Sequence, residues 1–406
     1  MSLLIKNGKI YQNNILVRKN IFIKLNKITK ITSQELKADK VIDAKNNIII
    51  PGLIDPHVHF REPGLTNKED FLTGSMAAAA GGITTFLDMP NTSPPTINLQ
   101  LLEEKRRLAK KSIVDYGFHF GSTKDNIAEI KKAKDVASVK VYMDFTTGDM
   151  KLEEYAALKK IFSCNKTVTV HAENDNVPKA IELIQNSNND LYLAHISSRR
   201  DLHNCRKEKI KNDVFVEVAP HHLFLTKKDI DELGSYAEMK PSLKSKKDQD
   251  ALWEGIKNGK VDTIATDHAP HTKEEKLDPN YPFGVPGCET MLPLLLNSLN
   301  EKRIELKKII QLCCENPVKI FKIKDKGFIK EGFYADLTII DLNLEKEVKN
   351  QELFTKCRWS PFDGWKLKGW PVTTIVNGNI IFENGKINNI AAKEVQYNGN
   401  IQKRIY

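Results

Sequence analysis

The chain has 406 residues, 40% hydrophobic and 28% charged, with 62 Lys and Arg against 52 Asp and Glu, a net charge of +10. This balance describes a globular chain with room for a barrel of about 250 residues and a smaller domain, and no run is long enough to span a bilayer. The cationic excess is mostly lysine scattered among glutamates, as in "LLEEKRRLAKK" and "IELKKII", with no interleaved aromatics or nucleic-acid motif; a solvated surface that weakly steers anions is the better reading, and neither a nucleic acid nor a membrane is an expected partner.

The N-terminal stretch "MSLLIKNGKIYQ" carries an apolar run too short for a signal peptide. Six cysteines, at 164, 205, 288, 313, 314 and 357, form no CxxC pair, so reduced thiols and a cytoplasmic setting are expected. Residues 1–47 hold "LLIKNGKIY", "NIFIKLNKITKI" and "KVIDAKN", short strands with an Asn-Gly turn signal. From residue 48 β-branched runs alternate with helical segments: "IIIPGLIDPHVHF", "ITTFLDMP", "SIVDYGFHFG", "SVKVYMD", "TVTVHAE", "LYLAHIS", "VFVEVAP" and "TIATDHAP". Eight strands separated mostly by single amphipathic helices, "FLTGSMAAAAGG" and "KLEEYAALKKIF" among them, predict a (β/α)8 barrel of the TIM type. A doubly wound open sheet is the alternative, but no Gly-rich phosphate loop follows the first strand. Residues 327–390 return to short strands, "ADLTIIDLN" and "VTTIVNGNIIFENGKI". The expected organisation is therefore a hydrolase barrel over 51–325 and one small β-sandwich made by both termini, 1–50 and 326–406.

Polar residues recur at the C-terminal end of these strand candidates. His57 and His59 close the first, Asn91 follows the second, Lys140 lies in the fourth, His171 and His195 end the fifth and sixth, and Asp267 follows the eighth. A barrel of this class carries its active site on that rim. On a strand, residues two apart share a side, so His57 and His59 present both rings to one space. Singly, each histidine reads as a satisfied core residue; together, four histidines and an aspartate match a two-metal hydrolytic site. Lys140 is the odd member. Either it pairs as an inward lysine with Asp144 or Asp267, or it reacts with carbon dioxide to give a carbamate that bridges two metals.

The set "DPHVHFREPG", "GGITTFLDMPNT", "HAEN", "EVAPHHLFL", "ATDHAPHTKEEK" and "GVPGCETMLPLLL", in this order along the chain, resembles the dihydroorotases of the amidohydrolase superfamily; "HAEN" alone is shared with hydantoinases and allantoinases. The resemblance implies two Zn2+ ions or other divalent ions, one held by His57, His59 and Asp267, the other by His171 and His195, with carboxylated Lys140 and a hydroxide bridging them. It implies reversible hydrolysis of dihydroorotate to N-carbamoyl-L-aspartate in pyrimidine synthesis, with Asp267 as general base and then acid. Arg61 and Asn91 match the family's contacts to the substrate carboxylate, His271 a carboxylate or ring contact, and Pro286 and Gly287 a backbone contact. Lys240 stands where many bacterial members have asparagine, and is either a further carboxylate contact or a surface lysine. Thr146, in "DFTTGDM", is either a lid contact or part of a plain loop. Asp144 and Asp149 stand as other candidates for the bridge, while His119, His203, His221 and His222 match no ligand position. A homodimer and an association with aspartate transcarbamoylase are partner states the resemblance leaves open. Another cyclic amidohydrolase, acting on hydantoins, dihydropyrimidines or allantoin, is the alternative reading.

Overall fold

In the computed structural model, which describes residues 2–205 and 212–398, the β-branched runs each contain one strand of a single parallel sheet. In sheet order these are β1 (Leu53–Val58), β2 (Ile83–Asp88), β3 (Asp115–Gly121), β4 (Ser138–Tyr142), β5 (Val168–His171), β6 (Leu191–Leu193), β7 (Val214–Val218) and β8 (Thr263–Ile264). A parallel bridge from Val58 to His268 brings the end of the series back to its start and closes the barrel. The strands are buried almost throughout because helices cover the outer face, which is why their sequences are near-continuous apolar runs rather than alternating ones.

The first crossover shows how local sequence places an element. Helix Phe71–Ala80 begins where the Asp70 carboxylate accepts the N–H groups of Leu72 and Thr73 while the Thr73 side chain answers the Asp70 backbone, a capping box. It ends at Gly81, followed by Gly82 at φ 80°, a left-handed conformation suited to glycine. Helices Leu99–Ala109, Tyr155–Phe162 and Asn176–Gln185 occupy the next amphipathic segments.

The opening run "IIIPGLIDPHVHF" serves two sheets rather than one. Ile48–Pro51 pairs with Leu337–Glu347 and Lys9–Gln12 in a seven-stranded sheet, and the chain then passes into β1. The switch falls at Gly52, where a Cβ would lie 2.2 Å from Thr84 Cγ2, so only glycine fits. A four-stranded sheet, with Ser2–Lys6 between Asn20–Lys24 and Lys40–Asp43, packs on the seven-stranded one. Ile5, Ile21 and Ile28 from the smaller sheet share a core with Ile49, Leu337 and Ile375 from the larger. Both termini therefore build one β-sandwich beside the barrel. Among the described residues no helix is long and apolar enough to cross a membrane.

A buried charge cluster joins the two units. Lys326 donates to Asp115 at the start of β3, at 2.7 Å, and to Asp336 just before strand Leu337–Glu347. Asn377 completes it, donating its side-chain N–H to Asp115 at 2.8 Å and its backbone N–H to Asp336 at 2.7 Å. Removing one member leaves uncompensated charge in a dry interior, which costs about 3–5 kcal/mol. Lys326→Met is therefore expected to lower unfolding stability by about that amount in urea titration, and a loss below about 1 kcal/mol would show that the cluster does not hold the units together.

Candidate metal centre

His57 is the penultimate residue of β1, with His59 and Arg61 just beyond its end; β4 carries Lys140, β5 ends in His171, and His195 and Asp267 lie just beyond β6 and β8. All are buried. Three of them hold left-handed backbone that non-glycine residues seldom adopt, Arg61 at φ 64°, His195 at 36° and Asp267 at 47°. Buried carboxylates brace this geometry. Asp55 accepts the backbone N–H of His57 at 3.3 Å and of Thr266 at 3.1 Å, tying the first strand to the last. Asp88, paired with Lys105 at 2.6 Å, accepts the backbone N–H of Phe60 at 2.7 Å, between the two residues His59 and Arg61.

The rings of His57 and His59 are oriented by what their Nδ1 atoms touch. His57 Nδ1 lies 2.8 Å from Glu217 Oε1, and His59 Nδ1 lies 2.6 Å from Asn91 Oδ1. Both partners are acceptors, so each Nδ1 carries the hydrogen and each Nε2 presents a lone pair. Those lone pairs point at the same atom, Asp267 Oδ1, at 3.3 Å from His57 and 3.1 Å from His59. Three acceptors cannot satisfy one another, and their arrangement is one that can hold a metal ion. Burial holds the rings neutral. It is the largest cause pushing His57, His59 and His195 well below the usual histidine pKa and His171 down to about 3, and the Lys140 ammonium adds to it at each. Burial also raises the Asp267 carboxyl, against the pull of Lys140. Neutral imidazoles with inward lone pairs are the form that binds a divalent ion. The ligand atoms of His57, His59 and Asp267 lie within 4.8 Å of one another, the single such group among the described residues.

His171 and His195 stand next to this group, the His57 and His195 rings 5.2 Å apart. They face each other, Nδ1 of His171 2.9 Å from Nε2 of His195, leaving His171 Nε2 and His195 Nδ1 without hydrogen-bond partners. Lys140 Nζ is likewise buried and unpartnered, 5.1 Å from the centre of the Tyr142 ring. It makes no ion pair with Asp144 or Asp267 among the described residues. Asp144 instead clasps the Glu173 backbone N–H at 2.6 Å and the Asn176 amide, and Asp149 is exposed.

Above these groups a narrow cleft is lined by Arg61, Asn91, Tyr142, Thr146, Lys240 and Phe283 together with the histidines, Lys140 and Asp267. Arg61 Nε donates to the Pro270 carbonyl at 3.0 Å, and its Nη2 lies 3.1 Å from His271 Nε2. His271 thus stands behind Arg61, its pKa pushed down to about 3 by burial and then by Arg61. Lys240 reaches into the cleft with Nζ 4.6 Å from the Phe283 ring centre. In "DFTTGDM" Thr146 lines the cleft, while its neighbour Thr147 donates to the Phe283 carbonyl at 3.1 Å and pins the loop across the opening. Pro286 and Gly287 line a neighbouring cavity with His268 and Trp359; the cleft itself meets Phe283 and Gly284. Gly284 is at φ 139°, and a Cβ there would lie 2.5 Å from the Ala269 carbonyl. Of the remaining histidines, His119 bridges Ser138 and the Pro56 carbonyl, His222 meets the Pro241 carbonyl, His221 is buried and His203 is exposed.

Sequence reasoning passed over Glu217, Asp55, Thr147 and Gly284. Glu217 and Asp55 each left a usable signal, an acidic residue inside the apolar runs "VFVEV" and "IIIPGLIDPHVHF"; Thr147 and Gly284 sit in positions that composition does not mark.

The amidohydrolase family model matches residues 48–381. The chain is 36% identical to the dihydroorotase of Methanosphaera stadtmanae, across 95% of this chain and 97% of that one. It is 37% identical to the dihydroorotase of Pyrococcus abyssi, across 94% and 95% respectively. Among solved structures, the L-hydantoinase (dihydropyrimidinase) from Arthrobacter aurescens superposes with a TM-score of 0.90 at 28% identity, covering 97% of this chain and 99% of that one.

The convergence on Asp267 predicts that the metal-stripped protein takes up zinc tightly and that His57→Ala weakens that uptake by at least about 100-fold, beyond the effect usual for an outer partner. Competition against a chromophoric chelator measures both; equal affinities for the two proteins would show that the group holds no metal.

Proposed function

The chain belongs to the amidohydrolase family, as a cyclic amidohydrolase, and on that premise we propose that it interconverts L-dihydroorotate and N-carbamoyl-L-aspartate. The observation that carries this choice of substrate is Arg61. Its guanidinium lines the cleft and is almost wholly buried, yet it pairs with no carboxylate among the described residues. Asp267, Asp88 and Glu275 favour its charge from a distance without pairing with it directly, and a ring substrate that brings its own carboxylate supplies a direct partner through the planar fork of arginine. Lys240, Asn91 and the Arg61 support from His271 favour the same placement. The relatives named dihydroorotase support it as well.

His57, His59 and Asp267 would hold one divalent ion, zinc being the proposed one, and His171 and His195 with a carbamate on Lys140 a second. Bound there, such ions would supply a Lewis acid for a carbonyl oxygen and acidify water. Lys140 suits the modification because its amine is buried and unpartnered and burial lowers its pKa, which favours the neutral, nucleophilic form. The ammonium first gives up one proton; the neutral amine then adds to carbon dioxide, forming an N–C bond and releasing a second proton, which leaves an anion beside four neutral rings. In the hydrolytic direction water adds to the ring amide carbonyl and the C–N bond breaks. Asp267 takes the proton of the attacking water and returns it to the departing nitrogen, acting as base and then acid. Arg61 and Asn91 orient the substrate through its carboxylate. Buried thiols at all six cysteines accord with a reducing cytoplasm; a homodimer and an association with aspartate transcarbamoylase rest on the family resemblance.

Hydrolysis of hydantoins or dihydropyrimidines is the second reading, favoured by the fold likeness to the Arthrobacter L-hydantoinase. It shares the reaction, C–N cleavage in a cyclic amide, and differs in having no carboxylate for Arg61. Comparing kcat/KM for dihydroorotate, hydantoin, dihydrouracil and allantoin separates the two. Dihydroorotate is expected to be preferred, and Arg61→Gln to lower its kcat/KM by about 2–4 kcal/mol, roughly 30- to 1,000-fold, while scarcely affecting uncharged rings. Higher turnover of hydantoin with a neutral Arg61→Gln would establish the second reading.

The state of Lys140 is tested separately. Protein loaded with 13C-labelled carbon dioxide and zinc is expected to show one carbamate carbon resonance that Lys140→Ala lacks, with activity lost in that variant. An identical spectrum for the two would place the bridge elsewhere.

A further inference from the structure

Glu217 is the penultimate residue of β7, fully buried, flanked by Val216 and Val218. Isolating a carboxylate in such a run costs several kcal/mol unless every oxygen is engaged. Here each one is. Oε1 accepts from His57 Nδ1 at 2.8 Å and from the backbone N–H of His195 at 2.8 Å. Oε2 accepts from the Tyr192 hydroxyl at 2.7 Å, and that hydroxyl also lies 2.7 Å from Thr263 Oγ1. Lys140 attracts the carboxylate through space, but its Nζ makes no hydrogen bond to it and so does not set its direction. A single oxygen touches two separate site residues: the ring of His57, from the three-ligand group, and the backbone of His195, from the neighbouring pair.

We infer that Glu217 is a positioning residue that couples the two halves of the metal centre. Its Oε1 sets His57 in the Nδ1–H form, so that Nε2 faces Asp267, and the same atom holds His195 at its left-handed φ of 36°. Tyr192 and Thr263 fix the carboxylate in turn, so the orientation is transmitted from β6 and β8 as well as β7. The two ligand rings at the end of β1 are treated unequally: His59 meets a neutral amide, Asn91, whereas His57 meets a carboxylate. A carboxylate behind an imidazole fixes the ring's orientation more firmly than an amide does and makes the far nitrogen a stronger donor to a metal. This inference rests on the metal centre proposed above.

The test uses the full chain, stripped with chelator and titrated with cobalt(II) against a chromophoric competitor. Glu217→Gln keeps an acceptor oxygen for both His57 and His195 but removes the charge; Glu217→Ala removes both. Relative to the native protein, cobalt affinity is expected to fall about 10–100-fold in Glu217→Gln and further in Glu217→Ala. The 15N signals of His57 in metal-free protein are expected to report the Nδ1–H form in the native and Gln proteins and a mixture of forms in the Ala protein. A merely structural role would lower the melting temperature without moving affinity or tautomer. If Glu217→Ala does not fold, Glu217→Gln decides, and Tyr192→Phe, which loosens only Oε2, is expected to weaken cobalt binding several-fold. A native protein that binds cobalt while Glu217→Gln binds it within twofold overturns the inference and leaves the metal centre standing. A native protein that binds none overturns both.

Discussion

The Nε2 atoms of His57 and His59 and one oxygen of Asp267 meet at 3.1–3.3 Å because the other nitrogen of each ring is already committed, one to Glu217 and one to Asn91. With both ring hydrogens used on outer partners, only lone pairs remain to face inward. The surrounding barrel buries the rings and keeps them neutral, which leaves a group of lone pairs suited to a bound cation. Much of the rim is organised around keeping this arrangement in place.

The supporting structure is a ring of buried carboxylates, each aimed at backbone. Asp55 ties His57 to Thr266, Asp88 holds Phe60, and Glu217 holds His195. The left-handed residues Arg61, His195 and Asp267 follow or neighbour these anchors. Strain of about 1–3 kcal/mol at each such residue persists only where the surroundings over-determine it. The barrel offsets that strain with the burial of its strands and with the Lys326 cluster that locks the sandwich against β3. On the substrate side the charge balance reverses. Arg61 and Lys240 line the cleft without carboxylate partners among the described residues, so the floor is suited to cations and the wall to an anion.

The barrel was legible in the sequence because parallel strands covered on both faces leave near-continuous apolar runs, most of them rich in β-branched residues. Polar residues at the ends of those runs marked the rim for the same reason: they interrupt an apolar pattern where the fold needs no polarity. What the pattern concealed was anything set by approach in three dimensions. Gly52 splits one apolar run between two sheets through its contact with Thr84. Asn91, expected to meet substrate, also orients His59. Pro286 and Gly287 turn into the adjoining cavity, leaving Phe283 and Gly284 on the cleft. Glu217 was visible as a misplaced acid in "VFVEV", but its partners lie 22 and 160 residues away along the chain.

The most direct measurement of the central claim is anomalous X-ray scattering at the zinc edge from crystals of the zinc-loaded protein. The account predicts a peak about 2.0–2.2 Å from His57 Nε2, His59 Nε2 and an Asp267 oxygen, with both Nδ1 atoms still bonded to Glu217 and Asn91. Density showing these three atoms unchanged at hydrogen-bond spacing, with no anomalous peak between them after loading, would contradict it.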